Sequence, residues 1–538
     1  MMPGSGSGDG PYLGSAWRTW GRLLAAARRV LSRPREAGAI VRARLAGKRL
    51  RARQASAALL GIDHRLALPA RSLDRVPPAA DGLGLDICVV GRGLLLAGAP
   101  QRIAAAFADD PELQALYGDA LVQDRPGGPV LPLLPPVFDA DRLAAFDYLG
   151  PLLAYRRAAL DGDAHPASPA DAAFRIAERH GARSIGHLPE ILTVHRVGAE
   201  HAAPPAGEGG AVSHQQVVRG HLDRTGHSET SLAVAPDGAL RVAHPLPDPR
   251  PLASIIVPTR DRLDLLRPCL DSLRFCTDWP AIEILVCDND SRAPETLAYL
   301  HDLEREGRGV VVPCPGPFNF AAMNNAAAFR ARGDLLVFVN NDVEAFQPDW
   351  LSRMAREALR PDVGAVGAKL LDGEGRIQHG GIVLGTGGLV THGHRHFPGD
   401  AAGYLGALRI THVVSAVTAA CLVVEAAKFR AVGGFDADVF AVDFNDVDLC
   451  LRLNAAGHRT LLVPEAILHH REAASRRWTP EARARHAREV AALKRRWGPL
   501  LAQDPHYHPG FDPDLSTHAR LRRGFPEPGR GAVRRPPG

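Results

Sequence analysis

Lysine is nearly missing from this chain: Lys48, Lys369, Lys428 and Lys494 stand against 60 arginines in 538 residues. With abundant alanine, that skew reads as GC-rich coding bias rather than selection for phosphate contacts. Cysteine is scarce as well. Seven cysteines, an odd number with no C-x-x-C spacing, exclude a disulfide framework and a zinc ribbon. Cys269 and Cys287 flank apolar runs and are expected as buried thiols. No long hydrophobic run is present. The longest, Val413 to Val424, is too short to span a bilayer and is interrupted by Ser415 and Thr418. The N-terminus shows no basic patch followed by an unbroken apolar segment, so the expectation is a protein without a secretory signal, in a reducing cytoplasmic compartment.

What is present is ordinary globular composition, 46% hydrophobic and 23% charged, at a length that allows three or four folded units. The net charge of +5 is unevenly placed. Residues 1–60 carry twelve Arg and Lys against Asp9 and Glu36, and residues 518–538 carry six Arg against Glu527. The body between is mildly acidic, which argues against nucleic acid as a partner. Trp17 to Arg53 has helical periodicity, with Trp17, Trp20, Leu23, Leu24, Val30 and Leu31 on an apolar face and a break at Pro34. Two readings stay open: a docking helix with a solvated basic face, or an interfacial helix at an anionic membrane surface.

The expected organisation is a basic, partly disordered helical arm (1–60), a compact α/β unit (61–200) and a linker with a helix and a hairpin (201–250). An α/β domain with a parallel sheet (251–480) and a helix with a disordered basic tail (481–538) follow. Residues 1–10 and the last twenty are expected to be disordered. The hairpin is Ser231–Ala235 with Leu240–His244, turning at Asp237-Gly238.

Within 251–480, polar residues follow apolar strand-like runs. Pro258-Thr259-Arg260-Asp261 follows Ser254–Val257, Asp288-Asn289-Asp290-Ser291 follows Ile282–Cys287, and Asn340-Asn341-Asp342 follows Leu335–Val339. Asn445-Asp446-Val447-Asp448 opens a helix, Leu449–Ala456, ended by Gly457. Each alone is a turn or an N-cap. Together they mark one edge of an open α/β sheet, where ligands bind.

Those segments, with Asn319-Phe-Ala-Ala-Met-Asn-Asn325, Val432-Gly-Gly-Phe-Asp436, Phe444–Arg452 and His469-His-Arg-Glu472, resemble family 2 glycosyltransferases of the GT-A fold. The resemblance covers about 220 residues and is strongest to the branch that builds bacterial O-antigen, some of whose members are rhamnosyltransferases. It implies a Rossmann-like nucleotide-diphospho-sugar transferase domain. By resemblance, Pro258, Thr259, Asp261, Asp288, Asn324, Asn340 and Asn341 lie at the donor site. Asp342 holds Mg²⁺ or Mn²⁺, and His469 or His470 supplies a further ligand; on a strand only one of the two faces inward. The D-x-D pattern is altered here by Asn340. Asp446 is the general base of an inverting transfer. Asp448 and His379, in Gln378-His379-Gly380-Gly381, are structural or face the acceptor.

The implied reaction moves a sugar from a UDP- or dTDP-linked donor to a polysaccharide or lipid-linked saccharide, at the inner face of the cell membrane. The alternative is an inactive scaffold or carbohydrate-binding protein. His392-Gly-His394-Arg-His396 is expected as a solvated loop rather than a zinc site. Residues 61–200 resemble a degenerate second copy of the GT-A domain's C-terminal half. Asp171-Ala-Ala-Phe-Arg175, Gly181, Pro189-Glu190 and His195-Arg196 match Asp448–Arg452, Gly457, Pro464-Glu465 and His470-Arg471. Leu116-Tyr-Gly-Asp119 is matched to the end of the metal-binding strand, and Pro169 stands where Asp446 stands.

Overall fold

The computed structural model describes residues 26–61, 75–76, 86–91, 93–123, 130–160, 165–196, 212–471, 479–525 and 531–537. The expectations for Trp17 to Leu24, for residues 1–10 and for most of the linker fall outside these residues. The arm is helical at 26–32 (α1), then forms α2 (Pro34–Leu45) and α3 (Arg49–Leu60), so Pro34 does end one helix and begin the next. No residue of α2 is buried. α3 is docked: Ala57 joins an apolar cluster with Ile377, Phe397 and Leu515, and Arg53 pairs with Asp512 and Asp514 at 2.7 and 2.6 Å.

A first sheet contains the edge strand β1 (Arg75–Val76), β2 (Ile87–Gly91), β3 (Leu94–Leu96), β4 (Ala115–Gln123), β5 (Val130–Leu133), β6 (Leu152–Arg156) and β7 (Ile185–Arg196). Helices α4 (Ala99–Asp109), α5 (Ala140–Ala145) and α6 (Pro169–His180) connect them. Next come α7 (His214–Arg224), capped by a Ser213/Gln216 box, and the hairpin β8 (Ser231–Val234) with β9 (Leu240–Ala243).

The large sheet begins with β10 (Ala253–Thr259), α8 (Leu263–Phe275), β11 (Ile282–Asp288), α9 (Pro294–Arg305) and β12 (Val310–Pro313). Then follow α10 (Phe320–Arg330), β13 (Leu335–Val339), β14 (Val343–Ala345), α11 (Trp350–Ala358) and β15 (Val363–Leu371). β10 runs parallel to both β11 and β13, buried along its whole length, and this is why these strands read as unbroken apolar runs. After β16 (Ile377–His379), β17 (Ile382–Leu384), β18 (Val390–His392) and β19 (His412–Val413), the chain returns through β20 (Cys421–Glu425) and α12 (Ala426–Ala431). It then forms α13 (Asn445–Ala455), β21 (Arg459–His470) and α14 (Pro480–Ala502). The full order is β12-β11-β10-β13-β20-β15-β21-β14.

The two sheets share a pattern. The order β3-β7-β4-β6-β2 repeats β14-β21-β15-β20-β13, with the same parallel and antiparallel pairings throughout. β5 flanks β4 as β16 flanks β15. Both long return strands slip register at their Pro-Glu dipeptide, opposite Gly118/Asp119 and Ala368/Lys369. Asp171 pairs with Arg175 as Asp448 pairs with Arg452. One expected match is corrected. Leu116–Asp119 belong to β4, the counterpart of β15; the counterpart of β13, the strand expected to lead to the metal ligand, is β2. No described strand of the first sheet matches β10, β11 or β12.

The tail also departs from expectation. Residues 503–525 and 531–537 are packed rather than loose: His508 donates to Asp119, Arg534 to the carbonyls of Asp504 and Pro505, and Phe511 sits with Leu134 in an apolar cluster. All seven cysteines are free thiols, with Cys269 and Cys287 buried. Among the described residues, no helix is long and apolar enough to cross a membrane.

Candidate active site

Three parallel strands end at one edge of the large sheet and bring together what the sequence separates by 80 residues. Thr259 ends β10 beside Asp288 of β11, and Asn341 beyond β13 donates from Nδ2 to Thr259 Oγ1 at 3.0 Å. Asp261 and Arg262 follow in left-handed backbone, at φ 53° and 55°. There the Asp261 Oδ1 accepts the N–H groups of Arg292 and Ala293 at 2.7 and 2.8 Å and caps the start of α9. Those two bonds hold its carboxyl below the usual carboxylate range. Asp288 Oδ1 accepts from Ser291 N–H, 3.2 Å, at the strand end. Asn324 is buried completely, with Nδ2 on the Phe320 carbonyl, and presents no atom to the cleft. Its neighbour Asn325, not foreseen as important, clamps Phe435 through both N–H and C=O at 3.0 and 2.8 Å.

The histidine pair resolves into two roles. β14 pairs with β21 so that Val343 faces His470 and Glu344 faces His469. His470 Nε2 lies 3.2 Å from Asp342 Oδ1, while the His469 ring packs against Phe346. A carboxylate oxygen and an imidazole nitrogen at that separation match neighbouring ligands of a divalent ion whose bonds are about 2.1 Å. The buried His470 Nδ1 has no hydrogen-bond partner. Asp342 and His470 therefore fit a Mg²⁺ or Mn²⁺ ion; His469 does not.

Phe444, in left-handed backbone at φ 62°, turns the chain into α13, and Asp446 follows in its first turn. Asp446 accepts from Ala419 N–H at 3.1 Å and Val447 N–H at 2.8 Å, and burial pushes its carboxyl above the ordinary range. Asp446 and Asn340 line one groove of about 360 Å³, with Phe320, His392, Thr418 and Phe444. Two larger cavities, of about 950 and 580 Å³, lie against the β8–β9 hairpin and contain neither residue.

Asp448 takes the structural option. It is 0% exposed, pairs with Arg452 Nε at 2.7 Å, and accepts from Arg496 and Trp497 of α14 at 2.8 and 3.0 Å. The loop expected to be solvated is not. His394 is buried and donates its N–H to the Ser516 carbonyl, and its ring stacks on His518 of the tail. A different cluster, Asp119, His187 and His508, is fully buried with its ligand atoms within 4.8 Å of one another. His508 Nδ1 accepts from Gly510 N–H, so its proton sits on Nε2 and is given to Asp119. A metal at Nε2 would need the opposite tautomer. The cluster is a hydrogen-bonded clamp between tail and first sheet.

The parallel-strand edge with its carboxylate–imidazole pair, and the raised-pKa carboxylate in a groove that Asn340 also lines, belong to an α/β domain of the GT-A type. Residues 254–380 match Glycosyl transferase family 2, and the chain carries a domain of that family. The O-antigen biosynthesis protein RfbC of Myxococcus xanthus is 38% identical over 442 residues, 80% of this chain and 34% of RfbC. An uncharacterized protein of Sinorhizobium fredii is 41% identical over 351 residues, 63% of this chain and 38% of its own length. The chain thus spans about a third of the length of these curated relatives. Among solved structures, the mannosyltransferase PcManGT of Pyrobaculum calidifontis, in complex with GDP-Man and Mn²⁺, aligns over 52% of this chain and 75% of its own. Its TM-score is 0.36 and its identity 20%.

Proposed function

We propose that the protein is an inverting glycosyltransferase that moves a sugar from a nucleoside-diphosphate sugar to a saccharide acceptor in bacterial surface-glycan synthesis. The observation that carries this reading is the shared groove of Asp446 and Asn340 beside the Asp342–His470 pair. The 38% identity to an O-antigen biosynthesis protein supports the pathway class. The donor is UDP- or dTDP-linked and the acceptor a polysaccharide or lipid-linked saccharide.

In this mechanism Pro258, Thr259, Asp288 and Asn341 hold the nucleotide along the strand ends, and Asp342 with His470 would hold Mg²⁺ or Mn²⁺. Such an ion neutralises the diphosphate leaving group. Asp446, poised by burial, takes the proton of the acceptor hydroxyl as that oxygen attacks the anomeric carbon on the face opposite the diphosphate. The first sheet, lacking counterparts of β10 to β12 among the described residues, serves acceptor binding or assembly rather than transfer. The exposed arm docks on anionic lipid.

The test is nucleotide release from a panel of UDP- and dTDP-sugars with Mn²⁺ or Mg²⁺, for the wild type and Asp446→Asn. Turnover should fall at least about 100-fold in the variant, the scale of general-base catalysis, with donor binding kept. Inertness of the wild type toward every donor, with saccharide binding insensitive to Asp446→Asn, would instead establish a carbohydrate-binding scaffold.

A further inference from the structure

The segment Gln378-His379-Gly380-Gly381 has a physical explanation in a backbone contact. A Cβ on Gly380 would lie 3.2 Å from the Gly393 carbonyl oxygen, and a Cβ on Gly393 would lie 2.8 Å from that of Gly380. Gly381 has φ 84°, and Gly393 N–H donates to its carbonyl at 2.7 Å. Three glycines thus let two strand ends touch. What they bring together is a pair of imidazoles: His379, ending β16, and His392, ending β18, meet through their Nδ1 atoms at 2.7 Å.

Burial keeps both rings neutral, His379 down to about 3 and His392 well below its ordinary value. Two neutral imidazoles joined Nδ1 to Nδ1 share one proton, so one ring donates and the other accepts. The outer nitrogens decide which. His379 Nε2 is buried with no partner. If His392 were the donor, that atom would carry an N–H stranded in the interior; if His379 is the donor, it carries only an unfilled lone pair. Orphaned buried N–H groups are the rarer and costlier of the two. His379 therefore donates, His392 accepts at Nδ1, and the His392 proton sits on Nε2. His392 lines the groove that holds Asp446 and Asn340. Its Nε2 is neither hydrogen-bonded nor among the buried orphaned atoms of the described residues, so in a residue that lines the groove this atom is left accessible.

We propose that His392 contacts the substrate, presenting a fixed Nε2–H to a saccharide hydroxyl beside Asp446, and that His379 is the positioning residue that sets this tautomer from beneath. The proposal rests on the transferase reading. A neutral N–H donor and a carboxylate on one groove suit a polyhydroxylated ligand, since one hydroxyl oxygen accepts from the ring while another gives its proton to the base.

The test has two parts, both on the full chain. Nitrogen-15 NMR of histidine-labelled protein, assigned with His392→Gln, reads the tautomer without any substrate. A protonated Nε2 with a bare Nδ1 supports the proposal; the reverse tautomer or an imidazolium overturns it, whether or not transfer is ever detected. With a donor that the wild type turns over, His392→Leu should lower kcat/KM for the saccharide acceptor at least about tenfold, the scale of one lost hydrogen bond to substrate. It should leave UDP or dTDP binding unchanged. His392→Gln, which keeps an N–H donor, should recover most of the loss. His379→Gln should likewise outperform His379→Leu. Equal kcat/KM in His392→Leu and wild type, or equal loss in the Leu and Gln variants, would overturn the contact.

Discussion

His470 Nε2 stands 3.2 Å from Asp342 Oδ1, while His469, its neighbour on the same strand, turns its ring onto Phe346 at 4.5 Å between centroids. Alternation along β21 makes the two residues chemically unequal although the sequence presents them as a pair. His470→Ala is therefore expected to weaken Mn²⁺-dependent thermal stabilisation by at least about tenfold in apparent affinity, the scale of a perturbed metal site. His469→Ala should leave it unchanged. Titrating Mn²⁺ against the unfolding midpoint of both variants separates them, and equal behaviour would remove the assignment.

Asp448 gives a contrasting expectation, because its carboxylate is wholly enclosed by Arg452, Arg496 and Trp497. Asp448→Asn leaves the Arg452 guanidinium without its carboxylate partner, although Arg496 keeps Asp436 at 2.8 Å, and should destabilise by about 3 kcal/mol, the usual cost of breaking a buried pair. Asp446→Asn, by contrast, removes a charge that burial disfavours and should cost little stability. Denaturant unfolding of the two variants makes the comparison. A larger loss for Asp446→Asn than for Asp448→Asn would contradict both roles.

Much of the site's edge was legible because its strands are parallel and buried on both faces. Leu335–Val339 is an unbroken apolar run for that reason, and its structural bounds are the same. The polar residues behind it could be placed at the sheet edge from that alone. Other features depend on distant partners that no local pattern carries. Asn324 is placed near the donor by resemblance alone; helix phase turns its side chain inward and sends that of Asn325 to Phe435, which no local pattern shows. The last twenty residues read as disordered, but Arg520 donates to the Gly61 carbonyl across more than 450 residues, and Arg534 to those of Asp504 and Pro505. As a short motif Leu116–Asp119 matches the end of β13; only the strand order shows it to be the counterpart of β15. Burial of the His394 loop followed from that tail and was invisible for the same reason.

Buried neutral histidines should make the fold acid-sensitive. His187, His394 and His506 are held down to about 4 by burial, and His379 to about 3. An unfolded chain protonates such residues near pH 6.5, so between about 4 and 6.5 it binds more protons than the folded one. Stability is then fully present above pH 6.5 and falls as pH drops, by up to about 1.4 kcal/mol per pH unit for each histidine. Asp119, raised to about 6, acts in the opposite sense: the folded chain keeps its proton between about 4 and 6, which offsets one histidine in that window. Among the described residues nine histidines are lowered in this way, against seven carboxyls raised, which leaves a net loss. Unfolding midpoints should decline steeply between pH 6.5 and 4.5, and a flat profile there would exclude neutral burial of these rings.

Membrane association of the arm can be tested on α2 alone, because α3 is part of the body and cannot be removed cleanly. Ala57 of α3 packs on Phe397 and Leu515, and Gln54 bonds Ser516. The outward surface of α1 and α2 instead carries Leu31 at 79% exposure and Leu45 at 84%, among Arg28, Arg29, Arg35, Arg42 and Arg44. The one acidic residue there, Glu36, pairs with Arg33. Apolar groups among uncompensated arginines suit the interface of an anionic bilayer, where each basic residue contributes about 1 kcal/mol. Replacing Arg35, Arg42 and Arg44 by Gln should therefore weaken cosedimentation with phosphatidylserine-containing vesicles about 100-fold, with no change on purely zwitterionic vesicles. Transfer to a soluble acceptor should be spared, since none of the three touches the groove. Undiminished vesicle binding in the triple variant would leave the arm as a docking helix with a solvated basic face.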